Sequence, residues 1–140
     1  MAQPYLCQVS QRVSCAACCG LYNVRDLSAN GLEAVLIART VAFDRVPRQA
    51  EPIEEFGRRQ FGWTPEARPF PNFYHCPYVG LIGRGRRRVG CLLHPAVPGN
   101  AGHDWRTLSY YGAKACRTYF CPASKQLNAE HQMIIRQGID

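Results

Sequence analysis

The chain has 140 residues, 46% hydrophobic and 19% charged, a balance that suits one globular domain over residues 1–140 and excludes a disordered or fibrous chain. No apolar run reaches the roughly 18 residues that a membrane-spanning helix needs. The net charge of +7 leaves nucleic acid open as a partner, although ionised thiols on divalent metal would cancel much of that excess.

Residues 1–8 lack the basic start and apolar stretch of a secretory leader, so the expected compartment is the cytoplasm, where thiols stay reduced. Residues 1–27 read as irregular and cysteine-bearing. Asn30, with Glu33 three residues on, has the form of a capping box and opens a helix expected over 31–44. Leu32, Val35, Leu36 and Phe43 repeat at helical spacing along it, and Pro47 bounds it. A second helix is expected to start at Pro52, with Ile53, Phe56 and Phe61 on one face. Residues 62–75 carry Pro65, Pro69 and Pro71 between Trp63, Phe70, Phe73 and Tyr74; this pattern predicts an extended loop whose aromatics plug the core.

Residues 76–93 read as a β-hairpin, with strands at 78–82 and 89–93 flanking the glycine- and arginine-rich stretch 83–88. A two-residue turn at Gly83-Arg84 would pair 78 with 89 and place Cys76 opposite Cys91. A last helix is expected after Ser124, with Leu127, His131, Ile134 and Ile135 on one face and Gly138 as its stop. The fold class expected is α+β: a small irregular domain with a few helices and a hairpin, organised around a cysteine-ligated metal centre.

The eight cysteines carry the chemistry. Cys15, Cys18 and Cys19 form a C-x-x-C-C run, Cys76 and Cys91 bracket the hairpin, Cys116 and Cys121 close the set, and Cys7 stands alone upstream. A C-x-x-C turn curls its backbone around one metal and delivers two sulfurs to it, and zinc or iron–sulfur centres gather such pairs from remote segments. Disulfides are the competing use of an even cysteine count; the compartment and the clustering favour metal. The ligand set expected is Cys15, Cys18, Cys19, Cys76, Cys91, Cys116 and Cys121, with Cys7 and His94 as supplementary candidates, for one or two centres.

Cys15-Ala16-Ala17-Cys18-Cys19-Gly20, Cys76-Pro77-Tyr78, Gly90-Cys91-Leu92-Leu93-His94 and Cys116-Arg117-Thr118-Tyr119-Phe120-Cys121 together resemble the YkgJ-like cysteine-cluster proteins, over roughly residues 12–121. That family is described as zinc- or iron-chelating. Arg12 stands where its leading motif has a first cysteine, and Cys7 is the candidate replacement. The resemblance implies metal chelation, and a related cysteine cluster associated with flagellin lysine methylation keeps a protein-modifying role open.

Other residues have milder readings. His75 adjoins Cys76 but points to the opposite side of an extended strand. His103-Asp104 would either support a metal ligand or, more simply, cap the turn before Trp105. His131 reads as a packed helix residue. Arg84, Arg86, Arg87 and Arg88 form a basic tip suited to a solvated turn or to phosphate contact. Trp63, Phe70, Phe73, Tyr74, Tyr110, Tyr111, Tyr119 and Phe120 would shield a cluster or, alternatively, stack bases. No phosphate-binding loop, dinucleotide fingerprint or nucleophile elbow is present, so the reading leans away from an enzyme. The function expected is a metal-binding protein holding iron–sulfur, or else zinc, with a structural, electron-transfer or accessory role beside a protein partner. The alternatives are a cluster-dependent protein-modifying enzyme and a zinc-stabilised nucleic-acid-binding module.

Overall fold

Ser28 starts the first helix, α1 (Ala29–Asp44), in the computed structural model, which describes residues 13–60, 68–73, 75–109, 116 and 126–137. Its hydroxyl accepts from the Gly31 N–H at 3.0 Å, and Asp26 Oδ1 accepts from the Ser28 N–H at 2.9 Å. The cap is therefore Ser28, two residues before the expected Asn30, because only there does a side-chain oxygen reach the third helical amide. The buried stripe is Leu36, Arg39, Thr40 and Phe43.

Helix α2 (Ala50–Arg59) begins two residues before the expected Pro52. Proline is tolerated there because the first-turn amides have no partner inside the helix. Ile53, Phe56 and Gly57 face inward, while Phe61 lies outside the described residues.

Strands β1 (Val79–Ile82) and β2 (Arg88–Cys91) pair antiparallel, with Val79 opposite Cys91, Gly80 opposite Gly90, Leu81 opposite Val89 and Ile82 opposite Arg88. The expected two-residue turn is overturned: the loop runs from 83 to 87, and Cys76 does not oppose Cys91. Gly83, Gly85 and Arg86 all take left-handed backbone (φ 78, 70 and 53). They wind the loop into a short 3₁₀ turn closed by Arg86 N–H to Gly83 O at 3.0 Å. The longer loop shifts the ladder so that Tyr78 O receives the Leu92 N–H at 2.9 Å.

The main core gathers Phe43 from α1, Ile53 and Phe56 from α2, and Cys76, Tyr78, Leu92 and Leu93 from the hairpin and its flanks. Phe43 meets Phe56 edge-on at 5.2 Å, and Phe56 stacks on Tyr78 at 6.3 Å. Tyr78 Oη donates to Ile53 O at 3.0 Å, so this core phenol is satisfied inside the helix it packs on. A second, smaller cluster joins Ala16, Leu36 and Val79. Gly57 lies directly under the Tyr78 ring and hydroxyl. A methyl group there has no room, so Gly57→Ala should displace Tyr78 and cost about 1–3 kcal/mol in urea unfolding; an unchanged midpoint would show that the ring is not seated on this glycine.

Loops replace sheet over much of the described chain, and buried asparagines hold two of them. Asn23 donates to Phe70 O and Phe73 O, each at 3.0 Å, and accepts from the Phe70 N–H at 3.0 Å. Asn100 donates to Leu92 O and His94 O, each at 2.8 Å, and accepts from Arg48 Nε at 2.8 Å. The expectation that the proline-rich loop plugs the core is corrected for Phe70 and Phe73, which are 52% and 58% exposed and touch one another edge-on. Asn23 holds their backbone, which leaves the rings outside. Trp63, Tyr74, Tyr110, Tyr111, Tyr119 and Phe120 lie outside the described residues.

The last helix, α3 (Ala129–Gln137), is capped by Asn128, whose Oδ1 accepts from the His131 N–H at 2.8 Å. The expected cap Ser124 and stop Gly138 lie outside the described residues. The expected packing of its apolar face is not found: none of its residues is buried, and His131, Met133 and Ile134 are exposed. The described residues thus form three α-helices and a two-stranded antiparallel sheet, an α+β arrangement. Among them no helix is long and apolar enough to cross a membrane.

Candidate metal centre

A tight turn brings the first cysteines in. Cys19 N–H bonds to Ala16 O at 3.2 Å and Gly20 N–H to Ala17 O at 2.9 Å, with Gly20 in left-handed backbone (φ 77). Ser14 Oγ donates to Val89 O at 2.7 Å and ties this segment to β2. The Cys76 N–H then donates to Cys19 O at 2.7 Å, so the backbones of these two cysteines touch. Cys91 ends β2 and packs with Cys19 against the core cluster that contains Cys76. Cys116 Sγ lies 3.2 Å from Ser109 Oγ. Since the Ser109 hydroxyl gives its proton to Arg106 O at 2.8 Å, the Cys116 thiol is the donor of that pair.

The sulfurs feel one another. A hydrogen bond shared between the neighbouring Cys18 and Cys19 thiols lowers the Cys18 thiol to about 6. The same bond, followed by burial and by the Cys76, Cys18 and Cys91 sulfurs, pushes the Cys19 thiol far upward. Burial, and then the Cys76 sulfur, raises Cys91 to about 12, with Cys116 adding to the shift and Arg106 opposing it. The Cys76 sulfur thus acts on both Cys19 and Cys91, and the Cys116 sulfur acts on Cys91. In this arrangement Cys19 and Cys91 are protonated.

The six described cysteines are all free thiols, which excludes disulfides among them. Cys15 and Cys18 are exposed, and Cys15 Sγ accepts from the Ala17 N–H at 3.4 Å. Cys7 and Cys121 lie outside the described residues. Among the described residues, no three histidine, cysteine or carboxylate side chains are placed to hold a metal ion as they stand. The donor type nonetheless fits a soft thiophilic metal, and a bound ion would replace the thiol protons and draw the sulfurs together.

Arg39 is the residue that sequence reasoning missed. It is 2% exposed, on the buried stripe of α1, and its Nη1 donates to Val79 O at 2.9 Å and to Cys76 O at 3.3 Å. Its Nη2 lies 3.0 Å from His75 Nε2. Burial pulls its pKa down to about 10, while the adjacent Cys76 sulfur works to hold its charge. The available signal was spacing: Arg39 sits three residues after Leu36 and four before Phe43, on the apolar face.

His75 is excluded as a ligand by its own bonds. Its Nδ1 lies 2.8 Å from Gly20 O, which can only accept, so Nδ1 carries the proton and Nε2 accepts from Arg39. Burial first, against its bond to Gly20, lowers this histidine to about 4 and keeps it neutral. His94 gives Nδ1 to the Ala96 N–H at 3.0 Å, which leaves Nε2 as its outward donor. Asp104 takes the capping role, accepting from the Arg106 N–H at 3.1 Å, while His103 stacks on Trp105 at 5.6 Å. At the basic tip Arg84, Arg86 and Arg87 are all exposed, and Arg86 pairs with Asp44 at 2.7 Å.

No family model, no curated protein and no solved structure matches this chain.

Proposed function

We propose that the chain is a metal-binding protein whose first centre is held by Cys19, Cys76, Cys91 and Cys116, in a structural, electron-carrying or accessory role. The observation that carries this reading is the convergence of three remote segments: the Cys76 N–H bonds to Cys19 O, and Cys19 and Cys91 pack against the core cluster that contains Cys76. Four sulfurs form a donor set that selects zinc or iron–sulfur. His75 is committed to Gly20 and Arg39, and His94 Nδ1 to Ala96, which favours all-sulfur ligation. Iron–sulfur is the first choice within that set and zinc the second. Arg39 beside Cys76 supports either, since four thiolates around a divalent ion carry net negative charge that a buried guanidinium balances. Cys15 and Cys18 are the exposed pair left for a second centre, for which Cys7 and Cys121 are the remaining candidate ligands. The resemblance to the YkgJ-like cysteine-cluster proteins points the same way.

Anaerobic purification followed by metal and acid-labile sulfide analysis tests the proposal. Iron with equimolar sulfide and broad visible absorbance is expected. A colourless, zinc-loaded protein would replace iron–sulfur with zinc, and a protein with neither metal would overturn the reading.

A further inference from the structure

A short turn lies between two of the proposed ligands. The Trp105 N–H donates to Leu93 O at 3.0 Å, just beyond Cys91 in the chain. Asp104 caps the 3₁₀ helix Trp105–Leu108 that follows. At the far end of this helix, Ser109 Oγ lies 3.2 Å from Cys116 Sγ. The Trp105 ring packs on the main core cluster, as Cys19 and Cys91 do, and His103 stacks on it with the planes 22° apart.

This ring carries a donor with nothing to bond. Trp105 Nε1 is buried, and among the described residues it has no hydrogen-bond partner. Other donors of this region are satisfied: Tyr78 Oη donates to Ile53 O and Ser109 Oγ to Arg106 O. A buried N–H left unpaired is costly, and native interiors pair nearly all of them; the exceptions mark strain, a chemical role, or a water or ion at the site. A protonated thiol accepts hydrogen bonds weakly, whereas an ionised acceptor forms bonds roughly twice as strong as a neutral one. Burial, and then the Cys76 sulfur, holds Cys91 in its protonated form, and Arg106, the neighbour of Trp105, opposes this. The turn thus brings positive charge to bear on Cys91 and holds an unused N–H against the same core.

We propose that Trp105 is a positioning residue of the thiol centre: its indole Nε1–H hydrogen-bonds to the Cys91 sulfur once a metal ion has displaced the thiol proton to solvent. This inference rests on the metal-binding reading above. In the metal-free protein Cys91 keeps its proton, and the indole has no strong acceptor. A hydrogen bond to a ligating sulfur orients the ligand and steadies its charge, and partners of this kind are worth roughly 10- to 100-fold in metal affinity.

Nuclear magnetic resonance on the full-length protein with labelled tryptophan tests this, with zinc and an NMR-active cadmium isotope as the probes. The chain has two tryptophans, and Trp63→Phe assigns their indole signals. On zinc loading, exchange of the Trp105 indole proton with solvent should slow about tenfold or more. With cadmium bound, a scalar coupling should link that proton to the metal, because such a coupling passes through a hydrogen bond to a ligating sulfur. Trp105→Phe keeps most of the ring but lacks the donor, so it should still bind zinc with affinity about tenfold lower. His103→Ala removes packing from the same ring but no indole donor, so its zinc affinity should stay near the parent value. Metal uptake with neither slowed exchange nor coupling at Trp105 overturns this inference and leaves the metal reading standing. Equal weakening in Trp105→Phe and His103→Ala reduces Trp105 to packing and overturns it as well. A protein that takes up neither zinc nor cadmium overturns both. Should Trp105→Phe fail to fold, the cadmium coupling in the parent protein decides the matter.

Discussion

Replacing Cys76 with serine is expected to strip the first centre of its metal and to lower stability together. Cys76 is buried in the main core, its N–H is fixed to Cys19 O, and its sulfur acts on both Cys19 and Cys91. In the proposed centre, loss of one of four thiolates would leave three sulfurs that cannot close a tetrahedral set, and the binding free energy that supports folding would disappear with it. The serine hydroxyl also enters an apolar site. The two losses together should exceed about 3 kcal/mol, a fall of roughly 10 °C in Tm for a chain of this size. Metal per chain measured by plasma emission, alongside thermal unfolding, checks the result. Cys15→Ser is the contrast: Cys15 lies outside the four assigned ligands and is exposed, so metal at the first centre and Tm should stay near the parent values. Equal losses in both variants would break the assignment of Cys19, Cys76, Cys91 and Cys116 to one centre.

The second large effect is expected at Arg39. Arg39→Met keeps much of the apolar stem but strands three acceptors, Cys76 O, Val79 O and His75 Nε2. Each buried acceptor left without a donor costs about 1–3 kcal/mol, so the variant should lose about 3–5 kcal/mol in urea unfolding. Arg39→Lys should recover only part of this, because one ammonium cannot span the positions reached by a planar guanidinium. The same variants report on charge. If Arg39 balances a negative metal–thiolate centre, Arg39→Met should lose metal to a chelator faster than Gly57→Ala, which lacks only packing. Equal rates would make Arg39 a structural brace alone.

The helices were legible because their signals are local. The α1 stripe through Leu36 and Phe43 and the α2 face through Ile53 and Phe56 follow the helical period, and both helices formed within two residues of the expected starts. The α1 cap was misplaced because Asn30 and Ser28 both carry suitable oxygens, and only the backbone path decides which one reaches a free amide. The hairpin was legible but its register was not. A run of glycine and arginine permits a two-residue or a five-residue loop, and the choice moves every cross-strand partner. The exposed Phe70 and Phe73 show the same limit, since their position depends on Asn23, some 50 residues earlier in the chain.

Sequence alone determined that the chain offers soft sulfur donors in clusters, a basic hairpin tip and helices with apolar stripes, because residue type and near-neighbour spacing control these properties. Tertiary structure decided that Cys76 lies beside Cys19, that Arg39 lies buried against Cys76 and His75, and that Arg86 turns back to Asp44 beside a cleft. Those outcomes depend on contacts between residues 36 to 42 positions apart, joined through loops whose left-handed glycines fix the chain's direction. Such long-range geometry leaves no periodic mark on the residues that create it.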